Sequence, residues 1–123
     1  AFIEACAGCD VPFKATAGLH HPIRGEHALT YEPDAPRAVM HGFVNVFLAA
    51  AMAMAGKADE KTVQVILRET DADAFRVTST EASWRDVSIT LGELADARQR
   101  FSVCYGSCSF REPIEDLRAL SWL

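Results

Sequence analysis

The sequence predicts an α/β fold: a fragment of a (β/α) barrel-like or open parallel sheet with an inserted β-hairpin. Two observations carry this. First, two apolar segments, "VPFKATAG" at 11–18 and "FSVCYGSCSF" at 101–110, each follow a helical stretch and end in a Gly- or Ser-containing turn. Second, the chain between them holds capped, helix-period segments and one loosely alternating segment that reads as a hairpin. Parallel strands place their closing turns on one edge of a sheet. In open α/β sheets and in barrels, ligands bind at that carboxyl edge.

The elements follow in order. Residues 1–9 read as the last turns of a helix, with Phe2, Ile3 and Cys6 on one side and with Gly8 and Asp10 ending it. The strand at 11–18 puts Val11, Phe13 and Ala15 on one face and Pro12, Lys14 and Thr16 on the other. Residues 19–40 are expected to be an irregular loop, because Pro22, Pro33 and Pro36 break any helix. A helix over 41–55 is apolar nearly all round, which predicts deep burial, and Gly56 suits the position just past its end. A second helix, about 59–70, starts on Asp59 and carries a stripe of Val63, Ile66, Leu67 and Thr70. Strands are expected near 75–78 and 83–89. "TLGE", Thr90 to Glu93, is a capping box for a short helix that ends near Arg100. After the strand at 101–107, Pro113 suits the first position of a closing helix.

The 123 residues are the size of one domain, a single α/β unit over 1–123. The chain begins "AFIEACAGCD", without Met and inside a helix, which suggests the C-terminal portion of a longer protein. With 12 Lys and Arg against 17 Asp and Glu, the net charge is −5, and no basic run offers a nucleic-acid footprint. The longest apolar run, Phe43 to Gly56, is shorter than the roughly 20 residues a bilayer needs, and it contains Asn45. The expected partner is therefore a small-molecule substrate, with no nucleic acid and no membrane. Self-association through an exposed sheet edge is expected if upstream strands are missing. The four cysteines are expected to be reduced, mostly buried, small apolar residues, which points to the cytoplasm. Cys104 and Cys108 would share a strand face about 13 Å apart, too far to chelate one ion. No cofactor is indicated.

Three groups of residues can carry chemistry. Lys14 places an ammonium in a strand read as buried. A desolvated, neutral amine can form a Schiff base, and a charged one can hold a carboxylate or phosphate; the structural alternative is a lysine paired with a carboxylate or reaching to an edge. Thr16 shares its face. His20 and His21 end that strand and point apart, so one of them reaches a given site. His41 opens the apolar helix with Asn45 one turn later; such a pair either meets the site or serves a core network. Two of these histidines with a carboxylate could bind a metal, but the spacing matches no ligand motif, and none is expected. Gly106, Ser107 and Ser109 stand between a strand and a helix, where backbone N–H groups and hydroxyls make an anion pocket. Ser109 with Glu112 also fits a plain capping box.

At these residues two resemblances appear. The segments "PFKATAGLHHPIR", "HGFVNVFLAAA" and "YGSCSFREPIEDLRALSWL" resemble the C-terminal part of a family of longer, uncharacterised bacterial proteins. At the level of motifs, "KATAG" and "GSCS" are similar to class I aldolase barrels of the deoxyribose-phosphate type. That likeness implies a Schiff-base lysine at Lys14 and a phosphate site at Gly106, Ser107 and Ser109. The further lysine strand those enzymes carry between the two motifs has no counterpart here.

The expected function is part of a lyase, aldolase or isomerase acting on a small carbonyl or phosphorylated compound. Lys14 would be nucleophile or anion clamp, one of His20, His21 and His41 the acid/base, and 106–109 the anion pocket. The alternative is a non-catalytic ligand- or protein-binding module whose polar residues are structural.

Overall fold

The computed structural model describes residues 2–16 and 18–123. Ala1 and Ala17, which the expected helix 1–9 and strand 11–18 include, lie outside the described residues. The described chain is mixed α/β. Helix α1 (Phe2–Gly8) leads to strand β1 (Phe13–Ala15). Asp10, at φ 51°, takes the left-handed conformation that ends α1, and the Val11 amide then bonds back to the Cys6 carbonyl at 2.9 Å. The Pro-rich stretch is not wholly irregular. It folds into an antiparallel hairpin, β2 (Gly25–Ala28) with β3 (Arg37–Met40). Its strands are only four residues each, and Pro33 and Pro36 sit in the connection between them, where they cost no ladder bond.

Helix α2 (Phe43–Met54) is the centre of the molecule, touching α1, α3 (Glu60–Arg68), α4 (Leu91–Arg100) and β7 (Ser102–Tyr105). Leu48, Ala49, Ala50, Ala51 and Met52 are all buried; the alanines leave room for neighbouring helices to approach. Val63 and Ile66 from α3, Ala97 from α4 and Phe101 complete this core. Each fully buried Ile or Phe contributes about 1.5–3 kcal/mol. The caps form as expected. The Asp59 side chain accepts from the Thr62 amide, both halves of the Thr90–Glu93 box are present, and Gly56 stands at φ 66° beyond α2. Thr70 falls outside α3 and is exposed.

The expected hairpin is a three-stranded meander of β4 (Phe75–Val77), β5 (Glu81–Trp84) and β6 (Val87–Thr90). β1 and β7 are direct neighbours and parallel, with Lys14 opposite Cys104 and Ala15 opposite Tyr105. Both strands are shorter than the sequence suggests. β7 stops at Tyr105, and Gly106 turns in so closely to β1 that its amide bonds to the Ala15 carbonyl at 2.7 Å. A Cβ at Gly106 would stand 2.7 Å from the Thr16 carbonyl oxygen. Among the described residues the strands make one parallel pair and two antiparallel sheets, and they do not close a barrel. Phe13 and Phe101, on the two paired strands' side of the core, pack edge-to-face at 5.2 Å, and Phe101 is buried. The last helix, α5, is Arg111–Ala119, so Pro113 is its third residue and not its first. No helix among the described residues is long and apolar enough to cross a membrane.

Candidate functional site

Just beyond β1, residues 19–24 form a strap laid across the start of α2. Leu19, His21, Pro22 and Ile23 are buried. Helix α2 has no side chain capping its first turn. Instead the Phe43 and Val44 amides donate to the carbonyls of His21 and Pro22, at 2.9 and 3.0 Å. Gly42 makes this approach feasible, because a Cβ there would run into the Pro22 carbonyl and the Asn45 side chain. Asn45, fully buried, ties three segments together. Its Oδ1 accepts from the Arg24 amide at 2.9 Å, and its Nδ2 donates to the carbonyls of Ile66 at 2.8 Å and Glu69 at 2.9 Å. Asn45 therefore serves the core network. His41 is also spent structurally: exposed, it donates from Nδ1 to the Leu67 carbonyl at 3.1 Å.

The strap presents its two adjacent histidines to successive turns of α5. His20 Nδ1 donates to Glu112 Oε2 at 2.8 Å, and His21 Nδ1 donates to Asp116 Oδ2 at 2.6 Å. A carboxylate only accepts, so each imidazole carries a proton on Nδ1, and in the neutral ring Nε2 is the acceptor. The His20 bond holds the Glu112 carboxyl below its ordinary range, which keeps it ionised. On the other side of the His20 ring, Cys108 Sγ lies 3.1 Å from Nε2. The result is a thiol, an imidazole and a carboxylate in line, in the nucleophile–base–orienter order that thiol and hydroxyl catalysis requires.

Local sequence explains each placement. Because β7 ends before Gly106, Cys108 is released from the strand into the turn ahead of α5. Ser107 Oγ and Ser109 bond to each other across that turn, and the buried Ser109 hydroxyl accepts from the Glu112 amide at 3.2 Å. This is half of the expected capping box. The other half is missing because the Glu112 carboxylate is turned to His20. The His21 ring is stacked face to face on His27, with centroids 3.3 Å apart and planes 7° from parallel. His27 Nε2 is buried without a partner, above Gly25, whose missing Cβ makes space for it. Burial and the neighbouring His21 lower the His27 pKa.

Several expectations change here. Lys14 is exposed and not buried as its strand reading implied, and Thr16 is exposed beside it. The Gly106 amide is taken by Ala15, and the Ser107 and Ser109 hydroxyls are committed to the turn, so these residues shape the turn that carries Cys108. The cysteines are free, but only Cys6 is buried; Cys9, Cys104 and Cys108 are exposed. Cys108 does not share a strand with Cys104. Among the described residues no group of three His, Cys, Asp or Glu side chains is placed to hold a metal ion. Sequence reasoning missed Cys108, Glu112 and Asp116. The signal that could have found the acids is their four-residue spacing, which puts both on one face of α5, opposite a His-His pair. Comparison with protein-family models, curated proteins and solved structures finds no match.

Proposed function

We propose that this chain carries a thiol-dependent catalytic centre acting on a small carbonyl compound, with Cys108 as nucleophile, His20 as base and Glu112 as the carboxylate that orients it. The observation that carries this reading is the continuous contact from Sγ through the imidazole to the carboxylate. The thiol proton passes to His20 Nε2 as the sulfur bonds to the carbonyl carbon. When the carbonyl re-forms, the bond to the leaving group breaks, and the leaving group takes the proton from Nε2. Water then attacks the thioester on Cys108: its oxygen bonds to the acyl carbon as His20 takes its proton, and when the carbon–sulfur bond breaks the proton passes from Nε2 to Cys108 Sγ and the acid is released.

Position supports the same reading. His20 lies just past β1 and Cys108 just past β7, at the carboxyl ends of a parallel pair. That is where two neighbouring staves of a (β/α) barrel would put an active site. Of the three segments that carry the proposed likeness to longer bacterial proteins, two, "PFKATAGLHHPIR" and "YGSCSFREPIEDLRALSWL", hold all three residues. Three exposed thiols without a disulfide favour a reducing compartment such as the cytoplasm. A second reading, a lyase or isomerase acting on a carbonyl compound, is favoured by one observation: the Nδ1 bond to Glu112 orients the His20 ring and leaves Nε2 turned away from the carboxylate.

The test is competitive alkylation by iodoacetamide, mapped by mass spectrometry at all four cysteines. Cys108 should react at least about tenfold faster than exposed Cys9 and Cys104, and His20→Ala should remove that advantage. Incubation with p-nitrophenyl acetate should leave an acetyl group on Cys108. Equal rates at the three exposed thiols would leave a binding module with structural polar residues. Fast Cys108 without any acyl adduct would favour the lyase or isomerase.

A further inference from the structure

A second feature stands apart from the thiol centre and does not depend on its reading. A cleft of about 1130 Å³ opens between α2, the meander, α4 and the C-terminal segment. Its wall is aromatic. Tyr105 stacks on Phe43 with centroids 5.5 Å apart and meets Phe47 edge-on at 5.5 Å, while Leu117 and Trp122 face the cleft from the end of the chain. Such a lining suits an apolar or aromatic body. Its charge is one-sided. Arg76 and Arg98 line the cleft and no Asp or Glu does, although the chain carries 17 acidic residues. Neither guanidinium has an ion-pair or hydrogen-bond partner among the described residues, whereas Arg85, Arg100 and Arg111 are each paired with a carboxylate. Arg76 also borders a polar hollow that contains Asp73, Glu81 and Asp86, so Arg98 is the cation that belongs to the cleft alone.

We infer that this cleft binds an amphipathic organic carboxylate, its apolar body against Phe43, Phe47 and Tyr105 and its carboxylate on Arg98 with help from Arg76. A guanidinium presents two parallel N–H donors to a carboxylate, so the pairing is geometric as well as electrostatic. The apolar wall supplies affinity for the body, and the two cations select the acid over the corresponding alcohol.

The test is calorimetric titration of the whole chain with sodium octanoate and with 1-octanol. Octanoate should bind one site at least about tenfold more tightly than octanol. The Arg76→Gln/Arg98→Gln variant should bring octanoate down to the octanol level and leave octanol unchanged. Both arginines are exposed and unpaired, so circular dichroism should show an unchanged fold. Tyr105→Ala should weaken both ligands. Equal affinity for the two ligands in the parent, or full octanoate binding in the arginine variant, would overturn the inference. So would sedimentation showing a dimer that Val77→Asp, at an exposed position on the cleft, dissociates, because the occupant would then be a second copy.

Discussion

Replacing Asn45 with leucine tests how the strap is held. Leucine keeps the branched shape and the number of side-chain heavy atoms but removes all three hydrogen bonds, so the loss is chiefly polar. The bond to the Ile66 carbonyl is fully buried, and those to the Arg24 amide and the Glu69 carbonyl are partly buried. Leaving a buried backbone group without a partner costs about 1–3 kcal/mol. Taking about 2 kcal/mol for the buried carbonyl and about half that for each of the others gives a destabilisation of about 4 kcal/mol. Part is returned by the transfer of leucine methyls into the core, so about 3 kcal/mol is expected. For a domain of this size that lowers the melting temperature by about 12 °C. Urea unfolding followed by tryptophan fluorescence measures it directly, since Trp84 is buried in the folded state. A loss below about 1 kcal/mol would refute the claim that Asn45 fastens the strap to α2 and α3.

Other outcomes follow from the same geometry. Gly42→Ala should destabilise by several kcal/mol, about as much as Asn45→Leu, because the added Cβ meets backbone that cannot yield; an unchanged urea midpoint would show that the strap can move aside. Acid should destabilise the protein in two stages. Burial pushes the Glu69 carboxyl up, but bonds from Arg85, the Asp71 amide and Trp84 outweigh it and hold it below its ordinary value near 4.5; Glu112 is held low by His20. Folded values below unfolded ones mean stability that is present above about pH 4.5 and lost as pH falls through the folded values. His27, lowered from 6.5 chiefly by burial, adds an earlier loss as pH falls below that value. Melting curves should show His27→Phe flattening the first stage and Glu69→Gln reducing the second; two unaltered profiles would contradict the assignment. Lys14→Met should change stability by no more than about 0.5 kcal/mol. Borohydride treatment with small aldehydes should label Lys14 no more than exposed Lys57 and Lys61, and selective labelling would revive the Schiff-base role.

Much of the frame was legible because its signals are local. The Asp59 cap, the Thr90–Glu93 box and Gly56 each depend on residues within one turn of one another. The parallel β1–β7 pair was legible for a different reason: each strand follows a helix and ends in a polar turn. The β2–β3 hairpin was hidden, since "GEHA" and "RAVM" are too short for a period to show. The site was half legible. His20 stood out as part of an adjacent pair, but its partners lie 88 and 92 residues away. Contacts of that separation depend on where β7 ends, and one pair of residues decides whether Cys108 is a strand residue or a turn residue. Lys14 misled because alternation assigns faces without saying which face is covered, and a two-stranded sheet leaves one open.

The first amides of α2 are closed by carbonyls of the strap, and this gives the molecule a built-in reporter. Amide protons at Phe43 and Val44 exchange with solvent only when the strap lifts, and the strap carries His20. Their exchange rates therefore meter the opening of the His20–His21 segment from the far side of the strap. A ligand that grips His20 slows them. A substitution that frees Glu112 or Asp116 speeds them, while the core amides at Leu48 to Met52 keep the pace of global unfolding. Two nuclei at one helix end thus distinguish a damaged site from a damaged fold.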